Sequence, residues 1–401
     1  MSVAAWDVEH KRGACAMNDA VIPPGLFRGA PEPGGLRPSN PHTGILPYQA
    51  IKQMVREREI TAVQDIVDDQ IQPASLDLRL GKQAYRVRAS FLPGLDSTVM
   101  GRIEQLDGYE VDISSGAVLE RECVYIVPLM ESLRLSNNLT GFANPKSTTG
   151  RLDILTRLLT DQSAAFDQIT RGYQGPLYIE IVPRTFSIVV REGTRLNQIR
   201  FRRGGARSMA SSEFELLQQQ GIVSSNRRNI KEKLFGVTID LEGGSENGPV
   251  GYRAKKHTDR IDLQRIACYD PIDFWEPILF HRQRTLILDP NDFYVLVTRE
   301  AIRVPPTFAA EMVAYDATVG EFRVHYAGFF DPGFGWDAPT GAKAVLEVRS
   351  HEVPFMLEHG QTVGWLRYEP MAAAPDRLYG ANIGSSYQSQ SLRLAKQFRQ
   401  A

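Results

Sequence analysis

Leu177-Tyr178-Ile179-Glu180-Ile181-Val182 reads as an apolar strand interrupted by one acid, and the recurrence of that acid downstream decides the architecture. Glu180 is trailed by Gly193 and Arg200, and Glu347 by Gly360 and Arg367, at the same intervals; the offset between copies is 167 residues. Upstream, Glu131-Ser132-Leu133-Arg134-Leu135 recurs as Glu300-Ala301-Ile302-Arg303-Val304, Tyr85-Arg86 as Tyr252-Arg253, and Leu76-Asp77-Leu78 as Ile239-Asp240-Leu241, at offsets of 163 to 169. The chain is therefore expected to hold two tandem copies of one domain. Further strand-like runs at Ser75–Gly81, Gln83–Arg88, Cys123–Val127 and Phe186–Val190, parted by turn residues, predict a mostly β fold, barrel or sandwich, with a few short helices.

Working outward, residues 1–43 are rich in proline and glycine and read as a flexible arm. The first β domain is expected over 44–205, opening with a short helix that puts Ile51, Met54 and Val55 on one face. Gly204-Gly205 closes it, and Ser212-Glu213-Phe214-Glu215 has capping-box spacing, predicting a helical linker within 206–230. The second β domain is expected over 231–370, then a C-terminal segment, 371–401, whose glycines and serines carry two tyrosines and could close over a ligand.

The 401 residues are 42% hydrophobic and 23% charged, an ordinary globular composition. The 46 basic and 47 acidic residues balance at −1 without a block of like charge, so attraction to nucleic acid or an anionic membrane is not expected. No apolar run is long enough for a membrane span and no secretory signal is evident, so a cytoplasmic location is expected. Three widely spaced cysteines make no CxxC knuckle, and the stretch 43–256 has no histidine, so zinc is not expected.

Two clusters carry candidate chemistry. Asn144-Pro145-Lys146-Ser147-Thr148-Thr149-Gly150-Arg151 groups hydroxyls, an ammonium and a guanidinium beside turn formers, suited either to cradling a polyphosphate or to an ordinary solvated turn. Glu180, recurring as Glu347, is a carboxylate in an apolar strand; burial raises the pKa of such a group into the range useful for acid–base work.

With Gln72-Pro73-Ala74-Ser75-Leu76-Asp77-Leu78-Arg79-Leu80-Gly81, Lys146 to Arg151, Gly172-Tyr173-Gln174-Gly175-Pro176-Leu177-Tyr178-Ile179-Glu180, Gly193-Thr194-Arg195-Leu196-Asn197-Gln198 and Ser386-Tyr387-Gln388-Ser389-Gln390, the chain resembles the dCTP deaminase family in its long, tandem bacterial form. The resemblance covers most of 44–401. It implies two dUTPase-like β barrels of distorted jelly-roll type, assembly as a homotrimer, and zinc-independent hydrolysis of dCTP to dUTP and ammonia, with Mg²⁺ carried by the triphosphate and dTTP as a feedback inhibitor.

Residue by residue, the resemblance makes Glu180 the base that activates water, Ser147 the group orienting that water, and Arg151 the cation aligning the glutamate. Lys146, Thr148 and Gln390 would contact phosphates, Gln198 would bind substrate as part of the fourth nucleotide motif, Asp331 would meet the sugar hydroxyl, and Tyr379 and Tyr387 would belong to a lid. Asp331-Pro332-Gly333 stands as Thr170-Arg171-Gly172 in copy one, where Asp167 is the candidate substitute; Ser147 to Arg151 stands as Ala314 to Thr318 in copy two. Since sites of this family lie between subunits, Glu347 is the alternative base, meeting Lys146 and Ser147 from another copy. The rival readings are a dUTPase or a bifunctional deaminase releasing dUMP and diphosphate, with Asp331 keeping that route open, and a nucleotide-sensing module without turnover.

Overall fold

The computed structural model describes residues 43–205, 209–223, 229–243, 248–313, 328–350, 352–380 and 391–400, and the backbone of 322–325. The arm over 1–42, Tyr387, Gln390 and the copy-two loop 314–318 lie outside the described residues.

The protein is mostly β, built as the repeat predicts. In copy one, Arg195–Arg203 lies between Leu139–Pro145 and the strands Leu76–Arg79 and Gly44–Ile45, while in a second antiparallel sheet Gln174–Pro183 lies between Val124–Arg134 and the edge strand Ile154–Thr160. Copy two repeats both: Thr362–Pro370 lies between Phe308–Val313 and Leu234–Thr238, and Ala342–Ser350 between Phe293–Ile302 and Phe322–His325. The alternation of buried and half-buried residues along Leu139–Pro145 is that of a sheet with one face on the core.

Register identifies equivalent residues. Glu180 lies opposite Ile126 and Arg157, with Tyr85 beyond Ile126; Glu347 lies opposite Val295 and His325, with Tyr252 beyond Val295. The two glutamates therefore hold the same position in the two copies. Glu131 and Glu300 also match, each accepting a backbone N–H through its side chain, from Arg79 at 2.8 Å and from Thr238 at 2.6 Å.

One expected equivalence shifts. The Leu80 N–H bonds the Thr194 carbonyl, and Ile239 makes the same bond to Gln361, so Leu80, not Leu76, matches Ile239. Asp77 then corresponds to Gly236. The apolar-acid-apolar pattern recurs four residues out of frame, on the bridge residue Ile239 and the two residues that follow the strand Leu234–Thr238.

The opening helix is Tyr48–Arg56, with Ile51 and Met54 buried. The linker helix, Ser211–Gln219, starts earlier than its capping box suggests: Glu213 accepts the Ala210 N–H at 2.9 Å, and alanine at the cap offers no acceptor in return. Its buried Phe214 packs on Phe235, ring centroids 4.8 Å apart, docking the linker on copy two.

The copies share a core. Phe186 of copy one packs on Phe274 and Trp275 of copy two at centroid distances of 5.8 and 5.5 Å, and Phe398, near the chain end, closes on Trp275 at 5.9 Å. Ile261–Asp262 of copy two adds in parallel to Ile188–Val190 of copy one. Across the seam, the buried Arg349 donates to Asp153 through Nε at 3.1 Å and to the Thr185 hydroxyl at 2.8 Å.

Candidate active site

The seam places a cavity of about 620 Å³ between the copies. From copy one come Asp77, Lys146, Ser147, Thr148, Arg151, Arg195 and Gln198, from copy two Asp331 and Glu347, and from the C-terminal segment Tyr379 and Lys396. Eight of the residues singled out in the sequence meet here: Lys146, Ser147, Thr148, Arg151, Gln198, Asp331, Glu347 and Tyr379.

The Lys146–Arg151 stretch forms one turn of helix, Ser147–Gly150, held because the Thr149 hydroxyl donates to the Leu196 carbonyl at 2.7 Å. That turn leaves Ser147 exposed to the cavity while burying Arg151, whose guanidinium donates to the Arg393 carbonyl at 3.1 Å and faces the Glu347 carboxylate at 3.9 Å. Burial pushes the Glu347 carboxyl up to about 8, with Arg151 pulling the other way. A carboxyl poised there exchanges a proton with water in either direction near neutral pH.

Asp331 accepts from Arg200 at 2.9 Å and is raised by burial, the Arg200 guanidinium opposing. Arg200 also stacks on Phe329, 4.1 Å from the ring centroid. The residue two beyond Asp331 must be glycine: Gly333 has φ +95°, and a Cβ there would meet the Tyr379 nitrogen at 2.9 Å. This contact fixes Tyr379, whose N–H bonds the Pro332 carbonyl at 2.8 Å and whose ring packs on Phe334 at 5.5 Å.

At the polar end, Lys146 ion-pairs with Asp77, and Arg195 lies 3.9 Å from Asp77 and 3.1 Å from Asp69. Sequence reasoning gave Arg195 no role of its own within the Gly193–Gln198 motif, and it missed Lys396; the cations Arg393, Lys396 and Arg399 spaced by three among Leu394, Ala395 and Phe398 were the available signal. Among the described residues no cluster of three His, Cys, Asp or Glu is arranged to hold a metal ion. Asp69 and Asp77 are already paired with the Arg195 and Lys146 cations.

Glu180 lies outside this cavity, buried in copy one, where Arg157 donates to it through Nε at 2.8 Å and stacks on Phe166, 3.8 Å from the ring centroid. The structure separates it from Ser147 and Arg151, because it is copy two's sheet, not copy one's, that faces the Lys146–Arg151 turn. Asp167 belongs to Glu180's surroundings: its carboxylate accepts the Leu158 N–H at 2.7 Å, and burial raises it to about 7. It is not the counterpart of Asp331, a place Thr170 takes in register. In the C-terminal segment the residues after 390 are tied into the core through Leu394, Ala395 and Phe398, and residues 381–390 of the expected lid lie outside the described residues.

Fold and site together define a tandem β protein whose acid–base cleft, flanked by cations, is assembled from both copies. Residues 42–205 match the family model of the 2'-deoxycytidine 5'-triphosphate deaminase N-terminal domain, and residues 210–398 that of its C-terminal domain. The crystal structure of the 2'-deoxycytidine 5'-triphosphate deaminase from Agrobacterium tumefaciens is similar at 55% identity and TM-score 0.78, covering 84% of this chain and all of that one. A dCTP deaminase of Histophilus somni is 25% identical over 197 residues, 47% of this chain and 95% of that protein. A dUMP-forming dCTP deaminase of Halobacterium salinarum is 32% identical over 117 residues, 28% of this chain and 56% of that protein, so the match spans just over half its length. The chain belongs to the dCTP deaminase family of enzymes, with the dUTPase-like fold that its motifs imply. Among the described residues no helix is long and apolar enough to cross a membrane.

Proposed function

We propose that the chain hydrolyses dCTP to dUTP and ammonia with Glu347 as the proton-transferring acid. The observation that carries this is the buried Glu347 carboxyl, raised to about 8, facing Arg151 in the cavity that also holds Ser147 and the Lys146 and Arg195 cations. As carboxylate, Glu347 takes a proton from water while the Ser147 hydroxyl orients it. The water oxygen bonds to C4 of cytosine, Glu347 passes the proton to the ring nitrogen, and a further transfer to the exocyclic amine releases ammonia. Arg151 keeps the carboxylate populated and aligned, and Asp331, held by Arg200, accepts from the sugar hydroxyl. Lys146, Thr148, Gln198 and Arg195 bind phosphates; Mg²⁺ carried by the triphosphate offsets part of their charge. dTTP, a triphosphate of similar size, would compete for the same cleft. A homotrimer would bring three such clefts together.

The dUMP-forming relative supports a second outcome, release of dUMP and diphosphate after deamination. The test is chromatography of products from dCTP and Mg²⁺, with a zinc chelator as control. The account expects dUTP and ammonia, insensitive to the chelator; dUMP with diphosphate would establish the second outcome, and binding without product would leave a sensor.

A further inference from the structure

Copy two presents one face of a sheet to the seam, and copy one has the same face. In register, Tyr85, Val87, Ile126 and Glu180 correspond to Tyr252, Ala254, Val295 and Glu347. Tyr178 and Val345, two residues before each glutamate, point to the same side. What covers the face differs between the copies. Ala254, Val295 and Val345 are buried in one cluster with Phe186 and Ile188 of copy one, across the seam. Val87, Ile126 and Tyr178 are buried in a cluster with Val99 and Ile103, against which Phe91, Leu92 and Leu106 pack, all of them from copy one itself.

The difference arises at one place in the repeat. In copy two the stretch 255–274, between the strands Pro249–Ala254 and Trp275–Leu279, crosses to copy one: the Ile261 N–H bonds the Ser187 carbonyl at 2.9 Å, and Phe274 packs on Phe186. In copy one the stretch 88–108, between the strands Gln83–Val87 and Tyr109–Asp112, folds back on its own sheet as the helix Val99–Gln105. The helix is pinned there. The Thr98 hydroxyl accepts the Gly101 N–H at 3.1 Å as its cap, Asp161 accepts the Val99 N–H at 2.8 Å, and the Ser90 hydroxyl accepts from Arg157, the cation of Glu180, at 2.8 Å. The surface that covers copy two's sheet is also repeated, and its second version is bare. Ile188–Val190 pairs with Ala117–Leu119 on one edge and takes Ile261–Asp262 on the other; its counterpart Phe355–Glu358 pairs with Thr285–Leu288 and, among the described residues, takes no strand on its second edge. Phe186 is 1% exposed, whereas Val353, at the same interval beyond its glutamate, is 49% exposed and Met356 52%. An open strand edge beside exposed apolar side chains is a surface ready to pair with another chain.

We propose that copy one's glutamate face is a docking surface for copy two of a second chain, in the geometry of the internal seam, and that the helix Val99–Gln105 keeps it closed, so that the chain stops at one seam instead of extending head to tail. The test compares, by sedimentation velocity over a wide range of concentration, wild type, Ile103→Asp, and a chain whose residues 97–106 are replaced by a Gly-Ser link. Both variants should grow with concentration to at least double the wild-type mass. Adding Val353→Lys and Met356→Lys should return them to it, because the copy-two surface that docks then carries charge. A single cooperative urea transition identifies folded chains; where the link unfolds the protein, Ile103→Asp decides, with amide exchange over 99–105 showing that the helix has opened. Wild-type mass at every concentration in a folded chain whose helix is opened or removed overturns the proposal, as does association that the two lysines leave unchanged. None of the replaced residues lines the cleft, so dCTP turnover reports separately on the deaminase reading.

Discussion

Glu180 and Glu347 hold the same position in two copies of one sheet, and their partners give them different chemistry. Glu180 is neutralised by Arg157, a neighbour on its own sheet with a direct hydrogen bond. Glu347 meets its cation only across the seam, at 3.9 Å, so burial prevails and the proton is held more tightly. Glu347→Gln is expected to lower kcat by roughly 10²–10⁴-fold, whereas Glu180→Gln retains turnover, as initial rates of ammonia release will read. In wild type, kcat/KM should climb with pH toward a limb near 8 as Glu347 deprotonates.

The same carboxyl sets a stability trend. Its value is about 8 in the fold against an ordinary 4.5, so over that window the folded chain holds a proton the unfolded chain gives up, and stability falls as pH rises from about 4.5 to about 8. Glu347→Gln should flatten that fall. Urea midpoints measured across the window check it: variant and wild type should diverge toward pH 8, with the variant the more stable.

At the scale of elements, the strand Ala342–Ser350 carries Glu347 and Arg349 on one face, and both reach into the segment that begins at the Ser147–Gly150 turn. The Arg349–Asp153 pair thus fixes the distance at which Arg151 addresses Glu347. Arg349→Met leaves Asp153 buried without its main partner and should cost roughly 3–5 kcal/mol, read as a drop in the urea midpoint. Phe398→Ala should cost about 3–5 kcal/mol by emptying the aromatic cluster, read the same way.

The strands and the repeat were legible because their markers are backbone-defined: Glu131 and Glu300 tie equivalent strands, and Gly193 and Gly360 turn at φ +80° and +78°. The four-residue slip at Ile239 was not legible, since alternation has a period of two and cannot distinguish shifts by four.

For the molecule as a whole, the sequence contains every principal group of the cleft, but the choice of base depends on which copy's sheet packs on which copy's loop. That is settled by tertiary contacts such as Phe186 on Trp275 and Asp153 on Arg349, each joining residues far apart in sequence. Nothing local to Glu180 or Glu347 records it. Lys396 was hidden similarly: its proximity to Lys146 arises only when the chain end returns to the seam.

If one chain completes the cleft, with Ser147 and Arg151 from its first copy and Glu347 from its second, then mixing Arg151→Ala and Glu347→Gln chains, each expected to be inactive, by joint unfolding and refolding recovers no dCTP deamination, because every cleft in the mixture lacks one of the two groups. Recovery of a sizeable fraction of wild-type activity would show that the glutamate and the arginine come from different chains, and would contradict the account.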